Sequence, residues 1–261
     1  MKELLSMASR RKVLGLAFGG SSWIVARSVS AAPANDLMAE DVLQKWYQLA
    51  LELVWHTPTY SPPVASRSFA YLGVTAFEAV ATGSPDLQTL AGQLHGLTPG
   101  PQRVAGKTYD EGVVVQAAMA SAVKNFFDNT GPSGHHATAT LEAKLKTDVA
   151  KGLPAKVMAR SEAYGQAVAK HILDWSKDDG GAVVENMGFP MDYELTKGPA
   201  HWVPTSLIVQ QQKPLLPNWG NNRTFIMPEG TSCALPPPPD YSEDKHSQFY
   251  HPAFEGVVAN Q

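Results

Sequence analysis

Apolar residues in the first half of the chain recur at intervals of three and four, the spacing of one helix face. In the first such stretch Asn35 or Asp36 can cap a helix, and Pro58 and the Pro62-Pro63 pair end it. Its apolar positions are Met38, Val42, Trp46, Leu49 and Leu53. A second stripe predicts a helix over residues 64–82.

Three more helices are predicted before residue 180. Asp110 begins one that ends near Phe127, a fourth runs from about Ser133 to Lys151, and Pro154 suits the first turn of a fifth. The fifth carries a stripe of Val157, Ser161, Tyr164, Val168, Ile172 and Trp175. Since no alternating pattern of useful length predicts a strand, the expected fold class is all-α, a helical bundle of about five helices.

The composition changes after residue 179. Residues 180–261 hold 11 of the 20 prolines, four of them consecutive at 236–239, a run that favours an extended polyproline conformation. The same region is rich in Trp, Tyr and Phe, in which disordered segments are poor. We therefore expect a long Pro- and aromatic-rich loop that wraps an ordered surface, followed by the start of a further helix from Ser242 onward.

The amino terminus has the pattern of a cleaved export signal. Ser9, Arg10 and Arg11 precede an apolar stretch over residues 13–25, which is shorter than the ~20 residues that span a bilayer, and small residues follow up to Ala34. The paired arginines favour the twin-arginine route and a periplasmic or secreted protein; a retained membrane anchor is the alternative. The predicted organisation is a signal over 1–34, a helical domain over 35–179 and a Pro-rich segment over 180–261.

Charge narrows the classes of partner. Residues 1–34 hold five of the 21 basic residues and one of the 24 acidic ones, so the remaining chain has 16 basic against 23 acidic residues, a net charge of about −7. Nucleic acids and anionic membranes both need a basic face, so neither is expected as a partner after signal cleavage. Cys233 is the single cysteine, which excludes an internal disulfide.

Residues 132–135 read Pro-Ser-Gly-His. This string resembles a motif of the type 2 phosphatidic acid phosphatases and the vanadium-dependent haloperoxidases. In those proteins the Ser and Gly contact phosphate or vanadate, and the His works at the apical position. The resemblance makes Ser133, Gly134 and His135 candidate catalytic residues.

Other stretches resemble bacterial members of the same superfamily, in order along most of the chain. "PVASRSFAYLGVTAFEAV" and "GQAVAKHILDWSKDDG" resemble helices of its amino-terminal half, and "PPPPDYSEDKHSQFY" resembles a later segment. "HWVPTSLIVQQQKPLLPNWGNNRTF" resembles a W-x-P-T stretch followed by P-L-x-P-x-W-G-x-x-R-P-F, although Thr224 stands where the family usually has Pro. The matching residues, interpreted as structural, include Trp202, Pro204, Thr205, Pro217, Trp219, Gly220, Arg223 and Phe225.

The sequence around residues 132–135 lacks the cationic groups that an oxyanion site needs. The family pattern is K-x6-R-P before P-S-G-H and S-R-x5-H-x3-D after it. Arg-Pro occurs nowhere in this chain, Arg160 follows Ala159 rather than Ser, and His171 lies eleven residues after Arg160 rather than six. We therefore favour a structural interpretation in which Ser133 caps the fourth helix.

The resemblance implies that the family's catalytic motifs follow the P-P-x-Y-S segment, in a carboxy-terminal helical bundle. The sequence is then expected to be the amino-terminal half of such a protein, inactive alone and binding no cofactor, with vanadate implied for the complete family. The expected partner is a separate catalytic chain or a second copy of this one. Halide oxidation with peroxide and phosphomonoester hydrolysis both stay open, and the alternative is an exported, non-enzymatic helical binding or scaffold module.

Glu78 lies in an apolar stretch of the second predicted helix. A buried carboxylate needs a partner. Arg67 is about three turns away along the same helix, so a tertiary contact such as Arg223 is the expected partner, and the role of Glu78 is interpreted as structural.

Overall fold

A computed structural model describes residues 38–182, 184–204, 213–228 and 235–259. Over these ranges the fold is all-α, as predicted, without a sheet. The helices are α1 (Ala39–Trp55), α2 (Pro62–Ala81), α3 (Glu111–Phe126), α4 (Gly131–Val149), α5 (Ala155–Ser176) and α6 (Tyr250–Ala259). One 3₁₀ turn, Trp219–Asn221, lies in the Pro-rich region, and residues Glu185–Gly188 form an irregular turn in which Asn186 and Met187 have positive φ.

Helix α3 is the centre of the bundle and packs against α1, α2, α4 and α5. Its sequence, EGVVVQAAMASAVKNF, is apolar on nearly every side, which is typical of a helix that is buried all round. The buried Gln116 accepts a hydrogen bond from the indole Nε1 of Trp46 at 2.9 Å, which satisfies a polar group in the core. Asp110 caps α3 as its sequence predicts, since its carboxylate accepts from the backbone N–H of Val113.

Helix α5 approaches α3 closely because Gly165 faces it. A Cβ at this position would lie 2.3 Å from the backbone oxygen of Val114 and 3.0 Å from the Cβ of Ala117. Even a methyl side chain at position 165 would therefore push α5 away from α3. The small residue therefore determines how tightly the bundle closes on α3.

The predicted helix from Ser242 begins later than expected. Helix α6 starts at Tyr250, whose backbone N–H donates to the hydroxyl of Ser247 at 2.9 Å. Pro252 then lies in the first turn, where a missing N–H costs no intrahelical hydrogen bond. None of the residues of α6 is buried.

Within the described ranges, no helix combines the length and the hydropathy that a membrane span requires. The predicted export signal over residues 1–34 lies outside these ranges, as do the capping candidates Asn35 and Asp36.

Candidate functional site

Helix α4 begins two residues before the position that the sequence predicts. Its N-cap is Thr130 and its first residue is Gly131, which has a positive φ of 68°. Pro132 occupies the first turn, and the hydroxyl of Thr130 donates to the backbone oxygen of Phe127 at 3.0 Å. Ser133 is therefore inside the helix and exposed, so the prediction that it caps α4 is wrong.

His135 pairs with the end of the preceding loop. Its Nε2 lies 2.6 Å from the backbone oxygen of Asp128 and 3.2 Å from the Oδ1 of the same residue. Both partners are acceptors, so Nε2 carries the proton. The two side chains are more than half exposed, which makes this a solvated pair with a weak net interaction.

Gly134 is the buried residue of the string. A Cβ at this position would lie 2.5 Å from the Cβ of Thr130 and 3.0 Å from the Cδ2 of Leu53 on α1. The glycine thus lets the amino terminus of α4 approach α1. Close packing explains why position 134 is a glycine, and no bound anion is needed to explain it.

The cavity beside Ser133 has the wrong charge for an oxyanion. Its volume is about 440 Å³, and Glu52 and His56 of α1 line it together with Thr130, Ser133 and Gly134. The described residues that line it include no lysine or arginine. A vanadate or phosphate here would face the Glu52 carboxylate, and no lysine or arginine lines the cavity to neutralise it, so these residues do not fit the group.

A buried ion pair joins α2 to the carboxyl end of α5. The Nη2 of Arg67 donates to the Oδ2 of Asp179 at 2.7 Å, and the Asp179 side chain is fully buried. Tyr71, one turn after Arg67, donates its hydroxyl to the same carboxylate oxygen, and the backbone N–H of Gly181 donates to Oδ1 at 2.9 Å. Burial and the hydrogen bond to Asp179 raise the pKa of Tyr71 above its ordinary value.

This ion pair also holds residues 213–228, which we call the strap. The Nη2 of Arg67 donates to the backbone oxygen of Arg223 at 2.8 Å, and the N–H of Arg223 donates to the backbone oxygen of Asp179 at 2.9 Å. The Arg67 guanidinium also lies over the ring of Phe225, 4.9 Å from its centroid. Arg67 therefore connects the bundle and the strap in one network.

Arg223 and Phe225 fasten the strap to α5. The Nη1 of Arg223 donates to the Oδ1 of Asp178 at 2.9 Å, and its guanidinium lies 5.2 Å from the ring centroid of Trp175. The Phe225 ring packs on Trp175 with 5.1 Å between centroids. Trp175 in turn donates its Nε1 to the backbone oxygen of His95 at 2.9 Å, so the loop before α3 belongs to the same arrangement.

Glu78 does not contact Arg223, and the expectation of that contact is wrong. Its carboxylate accepts from the hydroxyl of Thr89 at 2.7 Å and from the backbone N–H of Leu90 at 2.6 Å. A loop close along the chain satisfies this buried acid. The acid in turn holds this part of the loop between α2 and α3 on α2.

The other motif residues of the Pro-rich region are spread over its surface. Trp202 is half exposed and Pro204 is exposed, whereas Thr205 lies outside the described residues. Gly220 is exposed, and a Cβ there would meet nothing within 4 Å. Pro217 and Trp219 are partly buried and line a cavity of about 240 Å³.

Sequence reasoning did not single out Arg67, Tyr71 or Asp179 as a cluster. All three lie inside segments that resemble the superfamily, "SRSFAYLGV" and "DWSKDDG", but 108 residues separate Tyr71 from Asp179. No group of three or more His, Cys, Asp and Glu side chains that could hold a metal ion occurs in the part of the chain that the structure covers.

The fold and the contacts above define the class as an all-α bundle onto which a buried ion pair fastens a Pro- and aromatic-rich strap. No protein-family model matches the chain, and no curated protein matches it significantly. Among solved structures, it is similar to the crystal structure described as the first bacterial vanadium-dependent iodoperoxidase, with 28% sequence identity and a TM-score of 0.68. The match covers 86% of this chain and 53% of that one, so this chain spans about half the length of that structure. This similarity supports a relation to the vanadium haloperoxidase superfamily.

Proposed function

We propose that this protein is the helical scaffold part of a system of the vanadium-dependent haloperoxidase type, and that residues of a partner polypeptide bind the vanadate. The similarity to the iodoperoxidase structure over 86% of the chain carries the proposal. The second support is the environment of residues 133–135, where Ser133 and His135 are exposed and a glutamate lines the adjoining cavity.

Three of the four arginines in the described ranges give the same indication. Arg67 pairs with Asp179, Arg103 with Glu111, and Arg223 with Asp178. A guanidinium already paired with a carboxylate is largely neutralised, so it attracts a further anion weakly. These three arginines thus hold segments of this chain together.

The direct test is vanadate binding by the purified chain, measured by ⁵¹V NMR, together with peroxide-dependent iodide oxidation, measured as triiodide absorbance. We expect neither from the chain alone. Hydrolysis of p-nitrophenyl phosphate is the matched assay for phosphatase activity. Stoichiometric vanadate binding that is lost in both Ser133→Ala and His135→Ala would overturn the proposal, because it would make residues 133–135 the anion site.

The proposal includes a polypeptide partner, either a separate catalytic chain or another copy of this chain. Affinity capture of the tagged chain from its native host tests this part. The expected outcome is co-purification of a polypeptide that carries K-x6-R-P, P-S-G-H and S-R-x5-H-x3-D, together with vanadate-dependent iodide oxidation in the captured fraction. A captured chain that is monomeric and free of such a polypeptide would favour the non-enzymatic binding or scaffold module.

We also propose export by the twin-arginine route, which rests on Ser9, Arg10, Arg11 and the short apolar stretch after them. The mature protein is expected to begin between residues 32 and 35. Amino-terminal sequencing of the protein from the periplasm or medium checks this. Replacing both arginines with lysine should leave the precursor in the cytoplasm, and unchanged export of that variant would contradict the route.

A further inference from the structure

A further cavity lies between the start of α2, the end of α3 and the segment that follows α5. Its volume is about 270 Å³. The buried residues Tyr60, Val64 and Phe126 line it together with the exposed Asp128 and Asn129, so it extends from the surface towards the core. The described residues that line it include none of those that line the cavity beside Ser133.

Thr59 and Ser68 supply two hydroxyl groups to this cavity. The two residues are only 6% and 8% exposed, and both line the cavity. Neither hydroxyl has a hydrogen-bond partner among the described residues. Both keep some accessible surface, since neither belongs to the enclosed, unpaired polar atoms of the described ranges. Buried polar groups in native proteins are nearly always paired, so these two hydroxyls indicate a molecule that bonds to them in the cavity.

The hydroxyl of Ser68 is turned away from the backbone of its own helix. Thr75 on α2, Ser121 on α3 and Thr138 on α4 each donate to the backbone oxygen four residues earlier, at 2.9 Å. This bond is the usual way in which a serine or threonine inside a helix satisfies its hydroxyl. Ser68 makes no such bond to Val64, so its hydroxyl is available to the cavity.

The charge of the lining restricts the class of ligand. The described lining residues include one carboxylate, Asp128, which is 77% exposed, and no lysine or arginine. An anion would be repelled by this carboxylate. A cation at the two buried hydroxyls would lose its hydration without a buried counter-ion, so a neutral ligand is favoured.

We propose that this cavity binds a small neutral polyol, whose adjacent hydroxyl groups pair with those of Thr59 and Ser68. A hydroxyl both donates and accepts a hydrogen bond, so a ligand hydroxyl can pair with either residue. Asn125 and Asn129 add amide groups to the lining, and Val64 offers an apolar contact to the carbon atoms of the ligand. This inference does not depend on the function proposed above.

The probe is cis-cyclohexane-1,2-diol, a single ring with two adjacent hydroxyl groups, and cyclohexanol is the matched control with one. Binding to the full chain is followed by ¹H–¹³C NMR through the methyl resonance of Thr59, which is assigned by its disappearance in Thr59→Ser. We expect the diol to shift this resonance saturably. Cyclohexanol should bind at least about fivefold more weakly, because it leaves one of the two protein hydroxyls unpaired.

Three variants test the site itself. Ser68→Ala removes one hydroxyl, so it should weaken diol binding at least about fivefold and leave the diol little advantage over cyclohexanol. Ser121→Ala is the matched control, because its hydroxyl bonds to Ala117 of its own helix and it does not line this cavity; the preference for the diol should persist. Ala182→Leu fills the cavity and should abolish binding. It decides the matter if Ser68→Ala fails to fold.

Three outcomes would overturn the proposal. The first is no saturable shift at any diol concentration at which the chain stays folded, in which case water alone pairs with Thr59 and Ser68. The second is equal binding of the diol and cyclohexanol to the native chain, which would exclude recognition by the two hydroxyls. The third is undiminished binding to the folded Ala182→Leu variant, which would place the ligand elsewhere.

Discussion

Ser133 and His135 are exposed, while Gly134 between them is buried against Thr130 and Leu53. In this string, packing depends on the glycine and not on the serine or the histidine. Its serine and histidine face solvent, and its glycine determines the packing of α4 on α1.

The three residues should respond differently to alanine. Ser133→Ala and His135→Ala should change the free energy of unfolding by less than about 1 kcal/mol, since an exposed pair such as His135–Asp128 is worth little. Gly134→Ala should destabilise by about 1–3 kcal/mol through overpacking. Urea unfolding followed by circular dichroism measures all three. A larger loss in Ser133→Ala than in Gly134→Ala would contradict the structural interpretation.

Arg67 and Asp179 are the residues that connect the bundle to the strap. Burial opposes the charge on Arg67, but its hydrogen bonds to Asp179 and Tyr71 raise the pKa of the guanidinium above its usual range. Asp179→Asn would leave this partly buried cation without a counter-ion. We expect a loss of about 3–5 kcal/mol in the free energy of unfolding.

The neighbouring Asp178 provides a matched control. Its pair with Arg223 is largely exposed on the carboxylate side, so Asp178→Asn should cost no more than about 1 kcal/mol. The same denaturation experiment compares the two variants. Equal losses would mean that burial does not distinguish the two ion pairs.

At the scale of the element, α3 and α5 show how one position controls a helix crossing. Gly165→Ala would place a methyl group against the backbone oxygen of Val114, which cannot move without distorting α3. We expect a loss of about 1–3 kcal/mol or more in the free energy of unfolding. Thermal or urea denaturation gives the measurement.

Gly73 of α2 is the control for this prediction. A Cβ there would lie 3.6 Å from the hydroxyl oxygen of Tyr47, which is an ordinary contact. Gly73→Ala should be neutral or stabilise by up to about 1 kcal/mol, because alanine is the better helix former. If both variants lose stability alike, the cause is general to helical glycines and not the α3–α5 crossing.

At the scale of the whole molecule, buried tyrosines couple stability to alkaline pH. Burial, with a smaller contribution from Asp128, raises the pKa of Tyr60 to about 12, and burial also raises the pKa of Tyr47 and Tyr71. Between pH ~10 and 12 the unfolded chain releases these protons while the folded chain retains them. The free energy of unfolding should therefore fall as pH rises through this range.

Urea unfolding at a series of pH values from 8 to ~12 measures this coupling. Tyr60→Phe should be less stable than the native chain at pH 8, because the hydrogen bond from Tyr60 to the backbone oxygen of Phe126 is lost. The free energy of unfolding of Tyr60→Phe should decline less steeply above pH ~10 than that of the native chain, because the variant lacks one titrating group. An unchanged slope in Tyr60→Phe would assign the coupling to other groups.

The sequence by itself determined the helices and much of the core. A period of 3.6 residues is a local property, so it predicted that α2, α3 and α5 exist, and the start signals Asp110 and Pro154 located the starts of α3 and α5 to within two residues. Two helix starts were predicted less well. Helix α4 begins at Gly131 with Thr130 as its N-cap, although Ser133 is also a residue type that favours this position, and α6 begins at Tyr250 rather than near Ser242.

Only the tertiary structure decided which charged and polar groups meet. Arg67 and Asp179 are 112 residues apart, and Glu78 binds Leu90 instead of Arg223. The cavity that Pro217 and Trp219 line likewise needs two segments of the chain that no periodicity relates. Local sequence patterns describe how each segment repeats, whereas a partner for a buried charge is selected by geometry and desolvation over the whole chain.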